Sequence, residues 1–288
     1  MEKARKENRF VILLAGRPYH NDSLIQHKVS EIITSFGVDV ITEDLIRYDE
    51  EELENTHIIP QWSYMNRIMK AAQWTANTEE NVHFIQITSF GCGPDAFIID
   101  EVNDILKQGG KNLTLLKVDD VNNAGSLRLR IRSLIESLKF KTEEQQSKAR
   151  QQFKTTPAFT EQDRHRKILC SHFSEFHSPF LPPVFQIMGY ELENLPPSDA
   201  ESAKLGLKYA NNEVCYPATL VVGDCIRAIE SGRYKKEEIC FAITQTGGQC
   251  RATNYIALIK KALVAAGYGD IPVISISIMN TINSQPGF

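Results

Sequence analysis

No stretch of the chain approaches the roughly 18 consecutive apolar residues that a membrane span needs. The opening MEKARKENRF is charged where a secretory leader would carry an apolar core. A cytosolic, reducing setting follows as the default. Cys-x-x-Cys pairs are absent, so a compact structural zinc site has weak support. Neither GxxxxGKS nor GxxxxGKT occurs, which leaves no phosphate loop of that kind. No internal repeat is evident and no segment is low in complexity. Charge of one sign is not in excess either. Lys and Arg total 32 against 36 Asp and Glu, a net −4 that gives no field toward nucleic acid or an anionic membrane. What is present is a globular composition, 42% hydrophobic and 24% charged over 288 residues, enough for one large domain or two ordinary ones.

Apolar periodicity alternates along the first half. RFVILLAG (9–16), VDVIT (38–42), NVHFIQITS (81–89) and NLTLLKV (112–118) read as strands. NDSLIQHKVSEIITSFG (21–37), residues 59–78, 94–110 and 123–140 read as helices, several stopped by Gly. Strands separated by helices of this length imply βαβ units and an open parallel sheet over residues 1–140. Residues 141–166 are polar, with almost no periodic face, and read as a linker. The pattern then restarts over 167–288, with strands at 167–173, 190–196, 239–245 and 272–278 and helices at 179–190, 198–209, 217–229 and 253–266. The expected fold is therefore α/β, two open parallel-sheet domains of the Rossmann or flavodoxin kind. The second is expected to be cut short, since no helix pattern follows PVISISI, and the whole to be a segment of a longer polypeptide.

In open parallel sheets, sites form where strands end and loops enter helices. Three of the six cysteines are expected there: Cys92 in SFGCGPDAF, Cys215 in NNEVCYPATL and Cys250 in TQTGGQCRATNY. Cys92 and Cys215 share the form Cys-x-Pro, with Pro tolerated in the first helical turn. A thiol just before a helix feels the positive end of the macrodipole. That favours thiolate, the form that binds metal or attacks an electrophile. Cys170 and Cys240 fall inside apolar strands and Cys225 inside a helix, and these three read as small buried hydrophobes. From local sequence, the loop trio is open between buried turn thiols and ligands. Three thiolates suit an iron–sulfur cluster, although spacing alone does not single it out. Gly247 and Gly248 leave space beside Cys250, and Arg251 places a cation next to it.

ANNEVCYPATLVVGDCIRAIESGRY and TQTGGQCRATNYIALIKKAL resemble the acyl-CoA dehydratase activase-related proteins, large bacterial polypeptides related to 2-hydroxyacyl-CoA dehydratase and benzoyl-CoA reductase components. GRPYHNDSLIQHKVSEIITSFGVDVITED and the run from Phe90 to Leu138 are similar to that family's central region. SFGCGPDAF onward also resembles the last domain of the dehydratase subunits. The domain order differs from the classical subunit, where the CYP-like region comes first. The resemblance implies a dehydratase-like electron-accepting module with a cluster of 4Fe–4S or double-cubane type. Cys92, Cys215 and Cys250 would be three thiolates on it, drawn from both domains. It further implies, as partner, an ATPase activator of the actin/Hsp70-like fold and an acyl-CoA or other small substrate, with no ATPase site in this chain. A non-catalytic scaffold or docking domain is the alternative, and thiol redox or nucleophilic chemistry at Cys250 a weaker one.

Other residues have more ordinary expectations. Tyr19 and His20 in GRPYHND stand at a helix start, where contact with a ligand competes with a capping turn made by Asn21 or Asp22. Arg128, Arg130 and Arg132 are spaced by two, which spreads them over different helix faces, and Arg132 would pair with Glu136. His165, His172 and His177 are spaced poorly for a shared zinc.

Overall fold

The computed structural model describes the chain except residues 1–3, 5, 8, 23, 47–51, 79–80, 90, 92, 119–123, 141–149, 247 and 278–287, and the side chain at 124. The chain forms two compact units, one of residues 1–56 and 62–153, the other of 57–61 and 154–288. No helix among the described residues is long and apolar enough to cross a membrane.

The first unit carries β1 (Val11–Ala15), α1 (Val29–Ser35), β2 (Asp39–Thr42), α2 (Ser63–Asn77), β3 (Val82–Ser89), α3 (Gly93–Gln108), β4 (Leu113–Val118) and α4 (Ala124–Lys139). Its four strands are all parallel in the order β2-β1-β3-β4. Every residue of β1 is buried, as a central parallel strand requires when both sheet faces are covered. One face is built by Ile12, Leu14, Ile85, Ile87, Leu116 and Val118. It meets Val29 and Ile33 of α1 and Leu127, Ile131 and Ile135 of α4.

The second unit carries β5 (Lys167–Cys170), α5 (Leu181–Ile187), β6 (Leu192–Asn194), α6 (Ala200–Tyr209), α7 (Tyr216–Glu230), β7 (Ile239–Thr244), α8 (Tyr255–Ala265) and β8 (Val273–Ile276). Its strands are again all parallel, in the order β6-β5-β7-β8. Both sheets thus share one strand order, a repeat of topology that the sequence does not display. In each, the order reverses between the first and third strands, and loops at the carboxyl ends of those strands flank a crevice.

The expected helix over 21–37 is divided. Asp22 Oδ1 accepts the N–H groups of Leu24 (2.8 Å) and Ile25 (3.4 Å), which closes a first turn. His27 and Lys28 then take positive φ of 52° and 59°. The buried Gln26 side chain accepts the Ser30 N–H at 3.1 Å, so α1 has its own cap and starts afresh.

The expected linker is divided as well. Residues 141–149 lie outside the described residues, whereas the chain from Lys154 packs with the second unit. Phe159 is fully buried in that unit's core with Ile168, Phe185, Tyr190, Leu192 and Ile274. Asp163 accepts the Thr160 N–H (2.9 Å) and binds Arg166 Nε (2.8 Å), and Arg166 reaches the Ile239 carbonyl (3.0 Å) at the start of β7. Few apolar residues are needed to anchor a segment when ion pairs and backbone acceptors hold it.

Candidate functional site

The Cys250 thiol lies after β7, at a strand end as expected. Cys215 lies between α6 and α7, a helix-to-helix connection and not the expected strand end, because α6 intervenes between β6 and the CYP motif. Cys215 is the N-cap of the 15-residue α7, with φ −62° and ψ 143°. Cys250 is the N-cap of the 3-10 turn Arg251–Asn254 that leads into α8, with φ −67° and ψ 135°. Pro217 stands in the first turn of α7, where no N–H is missed. Tyr255, the first residue of α8, reaches across to α7: its hydroxyl lies 2.9 Å from Cys215 Sγ. Burial raises the Tyr255 phenol well above its ordinary range, the bond to Cys215 and the charges of Cys215 and Cys250 push it further, and Arg251 acts against them. Cys215 is half-buried and Cys250 exposed.

The loop that presents Cys250 is braced from within. The buried Gln245 donates its Nε2–H to the Thr253 carbonyl at 2.8 Å and accepts the Ser275 hydroxyl. Thr253, fully buried, meets Thr246 Oγ1 at 2.8 Å and donates to the Gly248 carbonyl at 3.1 Å. A Cβ built on Gly248 would meet nothing within 4 Å, so the space beside it is open. Gly247 lies outside the described residues.

Residues 57–61 brace the same loop from outside. Asn254, fully buried, accepts the Ile59 N–H at 2.9 Å and donates to the Ile59 carbonyl at 3.5 Å. Gln61 Nε2 donates to the Cys250 carbonyl at 3.1 Å, and Gln249 Nε2 donates back to the Gln61 carbonyl at 2.9 Å. Gln245, Thr246 and Thr253 of TQTGGQCRATNY therefore hold the loop's own shape and Gln249 and Asn254 tie it to residues 57–61, roles that motif reading missed. Buried Asn, Thr and Gln in a Gly-rich loop were the available signal, because such groups must be hydrogen-bonded.

Cys92 lies outside the described residues. Among the described residues, no group of three or more His, Cys, Asp or Glu side chains stands close enough to hold a metal ion. Burial pushes the Cys170 and Cys240 thiols up to about 12 and Cys225 well above its ordinary range, which leaves all three neutral and unreactive.

In the first unit, polar groups gather at the ends of β1, β2 and β3. His20 is buried. Its Nδ1 accepts the Arg17 N–H at 3.1 Å, so Nε2 carries the proton that faces Ser89 Oγ at 3.3 Å. Burial lowers the His20 pKa, in keeping with a neutral ring. With Nδ1 taken, this ring cannot act as base toward Ser89. Arg17 Nε lies 3.1 Å from the buried Asp95, which also accepts the Thr88 hydroxyl at 2.7 Å. Burial raises Glu43 to about 7, against hydrogen bonds from its own N–H and that of Gly16. Tyr19 is exposed beside His20. The arginines of α4 share no patch: Arg128 lies over the Phe36 ring, and Arg130 donates to the Leu115 carbonyl. Glu136 pairs with Lys139 at 3.3 Å, where Arg132 was the expected partner. His165, His172 and His177 each find a local partner, Gln162, Glu175 and Ser174.

Two flavodoxin-order sheets, with a thiol at the start of α7 and another in the loop after β7, define an α/β protein of two parallel-sheet units. Residues 1–46 match the family model described as CoA enzyme activase uncharacterised domain (DUF2229), which supports an acyl-CoA dehydratase activase-related protein. No curated protein matches the chain.

Proposed function

We propose that the chain is the electron-accepting module of an ATP-activated acyl-CoA dehydratase or reductase system, with an iron–sulfur cluster held by Cys215, Cys250 and Cys92. The observation that carries this reading is the Cys215 thiol at the N-cap of α7, 2.9 Å from the hydroxyl of Tyr255, which opens the helix that the Cys250 turn leads into. The donor set fits such a group in its chemistry: two thiols at helix starts, a cation at Arg251, and open space at Gly248. Cys92 enters from the resemblance of SFGCGPDAF alone. When bound, a cluster of this kind supplies a one-electron acceptor and, where one iron is left open, a Lewis-acid position.

The protein's own residues have separable tasks. The N-terminus of α7 offsets negative charge on Cys215. The Tyr255 hydroxyl, 2.9 Å from the same sulfur, fixes its orientation. Arg251 offsets charge at Cys250, and the Gln245–Thr253–Ser275 bonds hold that thiol's loop against rearrangement. The activase relation supplies the partners of this reading: a dehydratase component and an ATPase activator of the actin/Hsp70-like fold, with an acyl-CoA as substrate class.

Anaerobic purification with iron and sulfide analysis and EPR tests it. Iron and sulfide should be present, with an EPR signal on reduction. Cys92→Ser, Cys215→Ser and Cys250→Ser should each abolish the signal, and Cys240→Ser should leave it. Stoichiometric zinc, or no metal after anaerobic reconstitution, overturns the reading in favour of a non-catalytic scaffold.

A further inference from the structure

An apolar stripe faces outward along residues 173–188 of the second unit. Phe176 is 79% exposed, Phe180 69%, Val184 49%, Ile187 87% and Met188 54%, with Phe173 at 38%. Turn, 3-10 and α-helical backbone follow one another from Glu175 to Ile187, with right-handed φ and ψ at His177, Phe180 and Leu181. Positions 176, 180, 184 and 187 therefore fall on one face. The opposite face is apolar too: Phe185 is buried in the core and Leu181 packs against it. Gln186 is the one polar residue of α5, so the helix is apolar on both its inner and its outer face, and a helix of that kind is covered on both sides in its working state.

The stripe is held rigidly. Ser178, itself buried, accepts the N–H groups of Phe173 (2.9 Å) and Ser174 (3.3 Å), and Asn194 Nδ2 donates to the Ser178 carbonyl at 2.6 Å. The outward rings are thus presented by a fixed backbone, and little ordering is left to be done on association.

We propose that this stripe is the interface of a two-fold homodimer, covered by the same stripe of a second copy. Two observations favour a copy of this chain as the occupant. The first is area. With roughly 150–250 Å² per aromatic side chain, the six exposed side chains together present on the order of 600–700 Å². That exceeds the patch a monomer ordinarily leaves open and approaches the ~800 Å² per partner of a standard interface. The second is charge. From Phe176 to Tyr190 there is no Asp, Glu, Lys or Arg, and the exposed Glu175 stands at one end of the stripe, so two copies of a chain of net charge −4 meet along an uncharged seam with that carboxylate at its rim. A two-fold contact needs one self-complementary patch and closes on itself.

The interface is independent of any bound cluster and is tested by mass. Light scattering and sedimentation velocity of the 288-residue chain should give twice the 32.6 kDa of one chain at concentrations of about 10–100 µM. Phe180→Asp with Ile187→Asp should yield a folded monomer, weakening association at least ~100-fold, while Leu207→Asp, on the exposed face of α6, should leave the dimer intact. Should the double variant not fold, Val184→Cys gives a second readout: oxidation should join two chains through residue 184, located by peptide mass spectrometry. A wild-type monomer at ~100 µM, open-ended larger species, or a dimer indifferent to the charged pair overturns the proposal.

Discussion

Burying Glu43 raises its carboxyl from 4.5 to about 7, desolvation outweighing the N–H groups of Glu43 and Gly16 that favour the charge. The folded chain then binds this proton more tightly than the unfolded chain. The stabilisation is complete below about pH 4.5 and is lost as pH rises through about 7. His20 acts the other way: its lowered pKa stabilises the fold above the ordinary imidazole range and is lost as pH falls. The difference between wild type and Glu43→Gln isolates the carboxyl. That difference should shift by about 1–3 kcal/mol against the wild type between pH 5 and pH 8, read by urea unfolding. An unchanged difference would remove Glu43 from the account. At this scale the sequence told much about the cysteines. Cys170, Cys225 and Cys240 lie in apolar periodic runs and are buried, whereas Cys215 and Cys250 precede helices and are their N-caps. Tyr255 was not legible as a partner of Cys215, because the two are 40 residues apart and only the packing of α8 beside α7 joins them.

Among the elements, α6 and α7 depend on two glycines. A Cβ at Gly206 would run into the Thr219 carbonyl oxygen, and one at Gly223 into the Ser202 carbonyl oxygen. Both contacts are with backbone, which cannot yield as a flexible side chain can. Gly223→Ala should therefore destabilise the second unit by about 1–3 kcal/mol or more, measured by denaturant unfolding. A neutral result would mean that the helices separate freely, contrary to their close crossing. Alternating strand and helix patterns were legible because each period is set locally by which face meets the core. The start of α1 was not, since Asp22 takes the N–H groups of Leu24 and Ile25 while Gln26 takes that of Ser30, and the chain passes between the two through a left-handed pair at His27 and Lys28.

At the scale of the whole molecule, the chain does not divide at one point. Residues 57–61 leave the first unit, join the second, and return to α2. Their hold on the Cys250 loop rests largely on Asn254, whose side chain takes both the N–H and the carbonyl of Ile59. Asn254→Ala should raise hydrogen exchange at the Ile59 amide by about tenfold, the measure of roughly one lost bond, and loosen residues 248–253 with it. Protection equal to wild type would show that other contacts hold the segment. Nothing in HIIPQ marks this role, because the partner lies some 190 residues away in sequence and the recognition is through backbone groups that every residue carries.

Local pattern sufficed for the α/β class, the all-parallel strands and the placing of Cys215 and Cys250 at helix starts, because periodicity, Pro and Gly act over a few residues. Folding alone brought Cys215 to Tyr255, tied residues 57–61 to Cys250, drew Phe159 out of an apparent linker, and left one apolar face of α5 uncovered. Each of those depends on contacts between segments distant in sequence, and such contacts come into being only when the sheets assemble.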